Sequence, residues 1–190
     1  MPPRPGLDAN AVLMAAVDIA DRQGIQAVTL ASVAASLGVR SPSLYNHIRG
    51  LEELRALLAL HAMGQLYGEV SEAVGGLAGK EGIEQFAYAY LRFAREHPGL
   101  YESVQIAPQG VNGAEIEEAG GRLVDLVLQL LRPYGLTEEE ALHAVRGLRS
   151  LIHGFASLEQ LGGFGLPLSV ERSLDFNLRI FLTGLEQKFG

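Results

Sequence analysis

The 190-residue chain is predicted to be all-α. Apolar residues recur at three- and four-residue intervals along most of its length, and no run of β-branched residues alternates with polar ones long enough to make a strand. Glycines and prolines fall where helices would stop. The first helix is expected over 8–23, with Val12, Ala16, Ile19 and Ala20 on one stripe and Gly24 at its C-terminal end. A short second helix follows Thr29, an N-cap type of residue, and runs through Val33 and Ala34 to Leu37 and Gly38. Pro42 suits a first helical turn and opens a third helix of about two turns over 42–48.

A longer helix is expected from Leu51 to about Val74, with Glu52 and Glu53 in the first turn, where acidic groups meet the positive end of the helix dipole. The glycine-rich break 75–79 separates it from a helix carrying Ile83, Phe86, Ala87, Tyr90 and Ala94, which Pro98 stops by pushing His97 out of the helical region. A short apolar piece (Leu100, Tyr101, Val104, Ile106) leads into a loop over 108–113. The next helix has Ile116, Ala119, Leu123, Leu126 and Leu130 on one face. Thr137 and Glu140 form a capping-box pattern opening a long helix with Ala141, Val145, Leu148, Ile152 and Phe155 at alternating spacings of four and three. It stops at the glycines of 162–165. A last helix after Pro167 and Ser169 presents Leu174, Leu178, Phe181 and Leu185, for about nine helices in all.

Composition narrows the class. The chain has no cysteine, which removes disulfides, thiolate metal sites and a cysteine nucleophile, and no apolar run of 18 residues. Residues 1–6 lack an apolar core, so neither a membrane span nor a secretory signal is expected, and the reading is cytoplasmic with no membrane partner. The net charge of −7 speaks at first against a polyanionic partner, because Lys and Arg supply most sequence-independent affinity for phosphates. Residues 1–50, however, set Arg4, Arg22, Arg40 and Arg49 against Asp8, Asp18 and Asp21, a surplus of one positive charge, so the acidity belongs to 51–190. No nucleotide loop, nucleophile elbow or metal-binding histidine spacing is present. No catalytic residue, cofactor or metal is expected.

The stretch 29–54 carries the chemistry. Two short helices joined by a turn containing Gly38, the second too polar on one side to be core, follow the helix-turn-helix plan in which the second helix enters a major groove. Ala31, Val33, Ala34, Leu37, Val39 and Leu44 let the two helices cross closely. Arg40, Ser41, Pro42, Ser43, Tyr45, Asn46 and His47 are left to meet DNA. Asn46 can pair bidentately with adenine, Arg40 with guanine or a phosphate, and Pro42 can lie on a thymine methyl, while Tyr45 and His47 donate to phosphates. Thr29 caps its helix and can also donate to a phosphate.

The pattern Gly38-Val39-x-x-Pro42-Ser43-Leu44-Tyr45-x-His47-Ile48, followed by Leu54, resembles the DNA-binding signature of the tetracycline-repressor (TetR) family of bacterial transcription regulators. The likeness covers roughly residues 8–60. It departs at Leu51, where the family has a lysine that clamps a phosphate. Arg49 or the backbone N–H groups at that helix start are the two candidates to replace it. A weaker likeness, over Gly147 to Glu159 and the glycines after it, is to a subgroup with a Trp-His-Gly tripeptide, here Ile152-His153-Gly154.

The resemblance implies an N-terminal three-helix DNA-binding domain over 1–50 and a helical-bundle domain over 51–190 for effector binding and dimerisation. It implies a ligand-responsive regulator, in the first instance a repressor, acting as a homodimer on a palindromic operator in double-stranded DNA and released by a small-molecule effector. His61, Tyr67, Phe86, Tyr90, Phe93, Tyr101 and His153 are the candidates for the effector pocket, with ordinary core packing as their other reading. The dimer would be a four-helix bundle built on Val145, Leu148, Ile152, Phe155, Leu174, Leu178, Phe181 and Leu185. The alternative is an all-α carrier or enzyme that keeps the hairpin as scaffold, favoured by the missing lysine and the few basic residues.

Overall fold

The computed structural model describes residues 7–106 and 110–189. Residues 1–6, with Arg4, and Pro108 of the expected loop lie outside the described residues. Among those described there is no strand. Eight α-helices follow one another: α1 (Ala9–Gln23), α2 (Leu30–Leu37), α3 (Leu51–Val74), α4 (Gly79–Glu96), α5 (Pro98–Gln105), α6 (Gly113–Leu131), α7 (Glu138–Gln160) and α8 (Val170–Phe189). Three 3-10 segments lie between them, at Ile25–Ala27, Ser41–Asn46 and Arg132–Tyr134.

Local chemistry sets most of these boundaries. Asp8 accepts the Ala11 N–H at 2.7 Å and caps α1. Thr29 and Ser32 cap α2 reciprocally, Thr29 Oγ1 accepting the Ser32 N–H and Ser32 Oγ the Thr29 N–H, each at 3.0 Å. Such a cap contributes about 1 kcal/mol. Thr137 and Glu140 close the same kind of box at the start of α7.

Two expectations are corrected. The third helix is not α-helical but a 3-10 segment over Ser41–Asn46, with i→i+3 bonds from Ser43 N–H to Arg40 O and from His47 N–H to Leu44 O, both 2.9 Å. Six residues is long for this tighter winding, which is usual in short connectors such as this one between a left-handed turn and the start of α3. The apolar piece after Pro98 is a true helix, α5, because proline stops α4 and occupies the first turn of the next helix.

Packing divides the chain into two compact units, residues 1–64 with 97–119, and residues 65–96 with 120–190. This division differs from the boundary expected at residue 50, because α3 and α6 each contribute to both units. In the first unit α1 packs on α2, on the 25–27 turn and on α5, and α2 packs on the 3-10 segment. In the second, α4 packs on α7 and α8, which also pack on each other.

Candidate nucleic-acid interface

The turn after α2 depends on Gly38, at φ 68° and ψ 29°, a left-handed conformation that costs a residue with a side chain about 1 kcal/mol. Its N–H returns to the end of α2. From there Val39 and Arg40 lead into the 3-10 segment, which is fastened from inside by Leu44, fully buried, with Ile48 buried just after it. Burying Leu44 contributes about 2 kcal/mol and fixes which side of the segment faces out. Arg40, Pro42, Tyr45 and Asn46 are exposed, and Ser41, Ser43 and His47 half-buried. Tyr45 is 58% exposed, unusual for so large a ring. Among the described residues the side chains of Arg40, Tyr45 and Asn46 have no hydrogen-bond or ion-pair partner. They are thus a row of donors and acceptors open to solvent on one short element.

Thr29 stands at the cap of α2, exposed, with its hydroxyl engaged by Ser32. Arg49 lies between the 3-10 segment and α3. Its guanidinium Nε is 3.3 Å from Glu53 Oε1, and its backbone N–H donates to Glu53 Oε2. Leu51, where the family signature has lysine, is half-buried.

A connection that sequence reasoning missed supports this head from behind. Asp21, in the last turn of α1, accepts the Leu100 N–H at 3.1 Å and lies 2.7 Å from His97 Nδ1, so one carboxylate grips the start of α5 twice. Beside it Gly99 lies so close to α1 that a Cβ would stand 2.0 Å from the Ala20 carbonyl oxygen. The nearest sequence signal was the His97-Pro98-Gly99 helix break, but nothing in it points to a partner seventy-odd residues earlier.

The candidate pocket residues are distributed over both compact units. Phe86, Tyr90, Phe93 and Tyr101 are buried core side chains. Half-buried His61 belongs, with Tyr101, to the first unit and the other five candidates to the second. His153 shares a hydrogen bond with Ser157 Oγ at 3.2 Å, and burial together with the Arg149 charge lowers its pKa below the ordinary histidine value. Tyr67 alone among the candidates lines a described cleft, of about 430 Å³, with Ser71, Leu126, Gln129 and Arg132. The Arg122 guanidinium lies 4.1 Å from the centre of its ring, a cation–π contact. Among the described residues no group of three acidic or histidine side chains could hold a metal, and no helix is long and apolar enough to cross a membrane.

Most of the expected dimer stripe is turned inward in the single chain. Val145, Leu148, Ile152 and Phe155 of α7, and Leu174, Leu178 and Leu185 of α8, are buried within the single chain, and Phe181 is half-buried. A regular apolar stripe identifies the best-packed face of a helix, and here the chain's own core takes it. The apolar side chains that remain outside are Leu142 and Leu158 of α7, and Phe176 and Ile180 of α8, the last two each 58% exposed. Phe176, Ile180, Thr183, Gly184 and Gln187 line an open groove along α8.

Two carboxylates of α8 are meanwhile committed to its own unit. Arg95 of α4 makes a bidentate pair with Glu159 of α7 at 2.7 and 2.8 Å and reaches Glu171 at 2.7 Å. A hydrogen bond from Ser169, the Glu171 amide and then Arg95 hold the Glu171 carboxyl at a pKa of about 2. Tyr88 donates to Asp175, and burial followed by that bond pushes its phenol up to about 12.

The C-terminal part of the chain, residues 83–181, matches the family model described as "Tetracyclin repressor-like, C-terminal domain". Over 186 residues the chain is 39% identical to the uncharacterised HTH-type transcriptional regulator YobS of Bacillus subtilis (strain 168), covering 97% of this chain and 96% of that protein. It is 31% identical over 158 residues to the HTH-type transcriptional repressor DrrR1 of Streptomyces coeruleorubidus, covering 81% of this chain and 54% of that one. Its fold is that of BioQ in the crystal structure with its double-stranded DNA operator (TM-score 0.71, 23% identity, 96% of this chain and 99% of that chain). A helix-turn-helix with an open polar row, ahead of a bundle that matches this family over half the chain, leads to one conclusion: the chain belongs to the tetracycline-repressor (TetR) family of DNA-binding transcriptional regulators.

Proposed function

We propose that this regulator is a repressor that binds a palindromic operator as a homodimer in the cytoplasm and leaves it when a small-molecule effector binds. Residues 1–50 serve as the DNA-reading domain and residues 51–190 as the effector and dimer domain. The Ile152-His153-Gly154 tripeptide ranks it with the Trp-His-Gly subgroup. The observation that carries the reading is the row Arg40, Tyr45 and Asn46, exposed and without partners among the described residues on a segment whose other side is anchored by buried Leu44. Asn46 reads a base edge and Arg40 a guanine or a phosphate. Ser41, Ser43, Tyr45 and His47 contact the backbone, with Thr29 and Arg49 at its flanks, and Pro42 packs on a methyl group. The repressor DrrR1 supports the sign of regulation, and the operator complex of BioQ the mode of binding.

The partner copy is proposed to seat on Leu142, Leu158, Phe176 and Ile180, the apolar side chains left outside. The effector acts by differential affinity for the DNA-bound and free conformers, and it lowers operator affinity by that ratio. The family is one of regulators rather than of enzymes, which weighs against the scaffold reading.

A gel-shift titration on the segment upstream of the protein's own gene tests the assignment. Asn46→Ala is expected to weaken binding at least tenfold, in line with about 1–3 kcal/mol for a bidentate base contact. Tyr45→Phe should weaken it by less. Binding unchanged by both substitutions overturns the assignment of the reading segment.

A further inference from the structure

The start of α3 carries an arrangement that the DNA-reading assignment does not explain. Arg40 and Arg49 flank the 3-10 segment, and each adds a positive charge to a head that has few. Arg40 has no partner among the described residues. Arg49, although 90% exposed, is held by Glu53 through two different groups, its guanidinium and its backbone N–H. The Glu53 side chain is only 17% exposed. An exposed i,i+4 ion pair contributes little to stability. A sheltered carboxylate fixed by a backbone donor, however, is a permanent countercharge in one place.

We propose that Glu53 acts as an internal stand-in for a DNA phosphate, so that Arg49 reaches a duplex only by exchanging one carboxylate for one phosphate. The inference rests on the reading of Arg49 as a DNA-contacting residue. Its consequence follows from counterion release. An unpaired arginine that meets a phosphate releases the cation condensed there, and this release drives sequence-independent affinity. As long as Arg49 stays on Glu53 it neutralises no phosphate, and no condensed cation is released on its account. The pair thereby removes one contact's worth of attraction for DNA of any sequence and leaves discrimination to the partnerless Arg40, Tyr45 and Asn46. Glu53 is in this sense a specificity-determining residue that need not touch DNA.

The test measures the affinity of the full-length protein for a random-sequence duplex of about 30 base pairs, by fluorescence anisotropy between about 50 and 200 mM salt. Wild type, E53Q, R49Q and the double variant are compared. Glu53→Gln keeps an oxygen to accept the Arg49 N–H, and unchanged thermal melting confirms that the fold is kept. E53Q is expected to steepen the slope of log K against log salt by about 0.9 and to tighten binding about fivefold at the lowest salt. In the R49Q background the same substitution is expected to leave the slope unmoved. An equal steepening with and without Arg49 overturns the inference, because Glu53 would then act as diffuse repulsion. So does an unchanged slope in E53Q. If none of the proteins binds duplex DNA even at the lowest salt, the DNA-contact reading itself fails. That outcome differs from the other two because no slope exists to compare.

Discussion

The reading segment and α8 dispose of their side chains in opposite ways. The 3-10 segment buries its large aliphatic residue, Leu44, and leaves Tyr45 and Asn46 on it, and Arg40 before it, open to solvent. Helix α8 ties Glu171 to Ser169 and Arg95, and Asp175 to Tyr88, while Phe176 and Ile180 stay outside. The 3-10 segment leaves polar groups outside, whereas α8 leaves large apolar ones outside beside exposed Arg179 and Gln187. What is left over describes the partner. A surface of unpaired donors and acceptors suits a charged, hydrogen-bonding polymer. An apolar helix face suits another apolar face, on the proposed reading that of a second copy.

The largest effect is expected where the head is held together. Gly99→Ala would place a methyl group 2.0 Å from the Ala20 oxygen and 2.9 Å from the Asp21 nitrogen, both backbone atoms that cannot rotate away. We expect a loss of about 3 kcal/mol in denaturant unfolding. DNA binding should weaken with it, whereas Gly121→Ala, which meets open space within α6, should melt no lower than the parent. A Gly99→Ala protein of parental stability would show that α5 does not brace the head.

The next effect bears on the apolar side of the comparison. Ile180→Glu should weaken dimerisation in sedimentation experiments by at least about thirtyfold, the loss of one central contact of about 2 kcal/mol. Because the residue is exposed in the single chain, secondary structure should be unaltered. A dimer that resists this charge would mean that α8's outer face has another use.

The smallest effect concerns α8's polar side. The folded-state pKa of Glu171 is depressed to about 2 from the usual 4.5, so its stabilising contribution is present above the usual value and disappears as pH falls towards 2. The difference in melting temperature between wild type and Glu171→Gln should therefore narrow over that interval. It should be modest throughout, since the side chain is 55% exposed and solvent screens the pair. A gap that widens on acidification would contradict the assigned pairing with Arg95.

Legibility in the sequence followed the range of the interactions. Helix positions were readable because caps and stripes are local: Asp8, Thr29, Thr137 and Gly38 act on neighbours within four or five residues. The polar row of the head was readable for the same reason, once Leu44 was recognised as its anchor. The winding of that segment was not, since periodicity over six residues cannot separate an α turn from a 3-10 turn. Pairings across the chain, such as Asp21 with His97 or Arg95 with Glu159, left no local trace. The inward turn of the expected dimer stripe is instructive. Leu174, Leu178 and Leu185 make the cleaner stripe, and the cleaner stripe went to the core, while Phe176 and Ile180 look unremarkable between them.

The 3-10 winding of Ser41–Asn46 has a metrical consequence. The five steps from Ser41 to Asn46 rise about 10 Å when wound this way but about 7.5 Å as an α-helix. Successive bases along a DNA strand are about 3.4 Å apart. Rewinding the segment would shift Asn46 along its axis relative to Ser41 by about 2.5 Å, most of a base step. On the proposed reading of Asn46 as a base contact, the pitch of this segment would help set which base pair it meets.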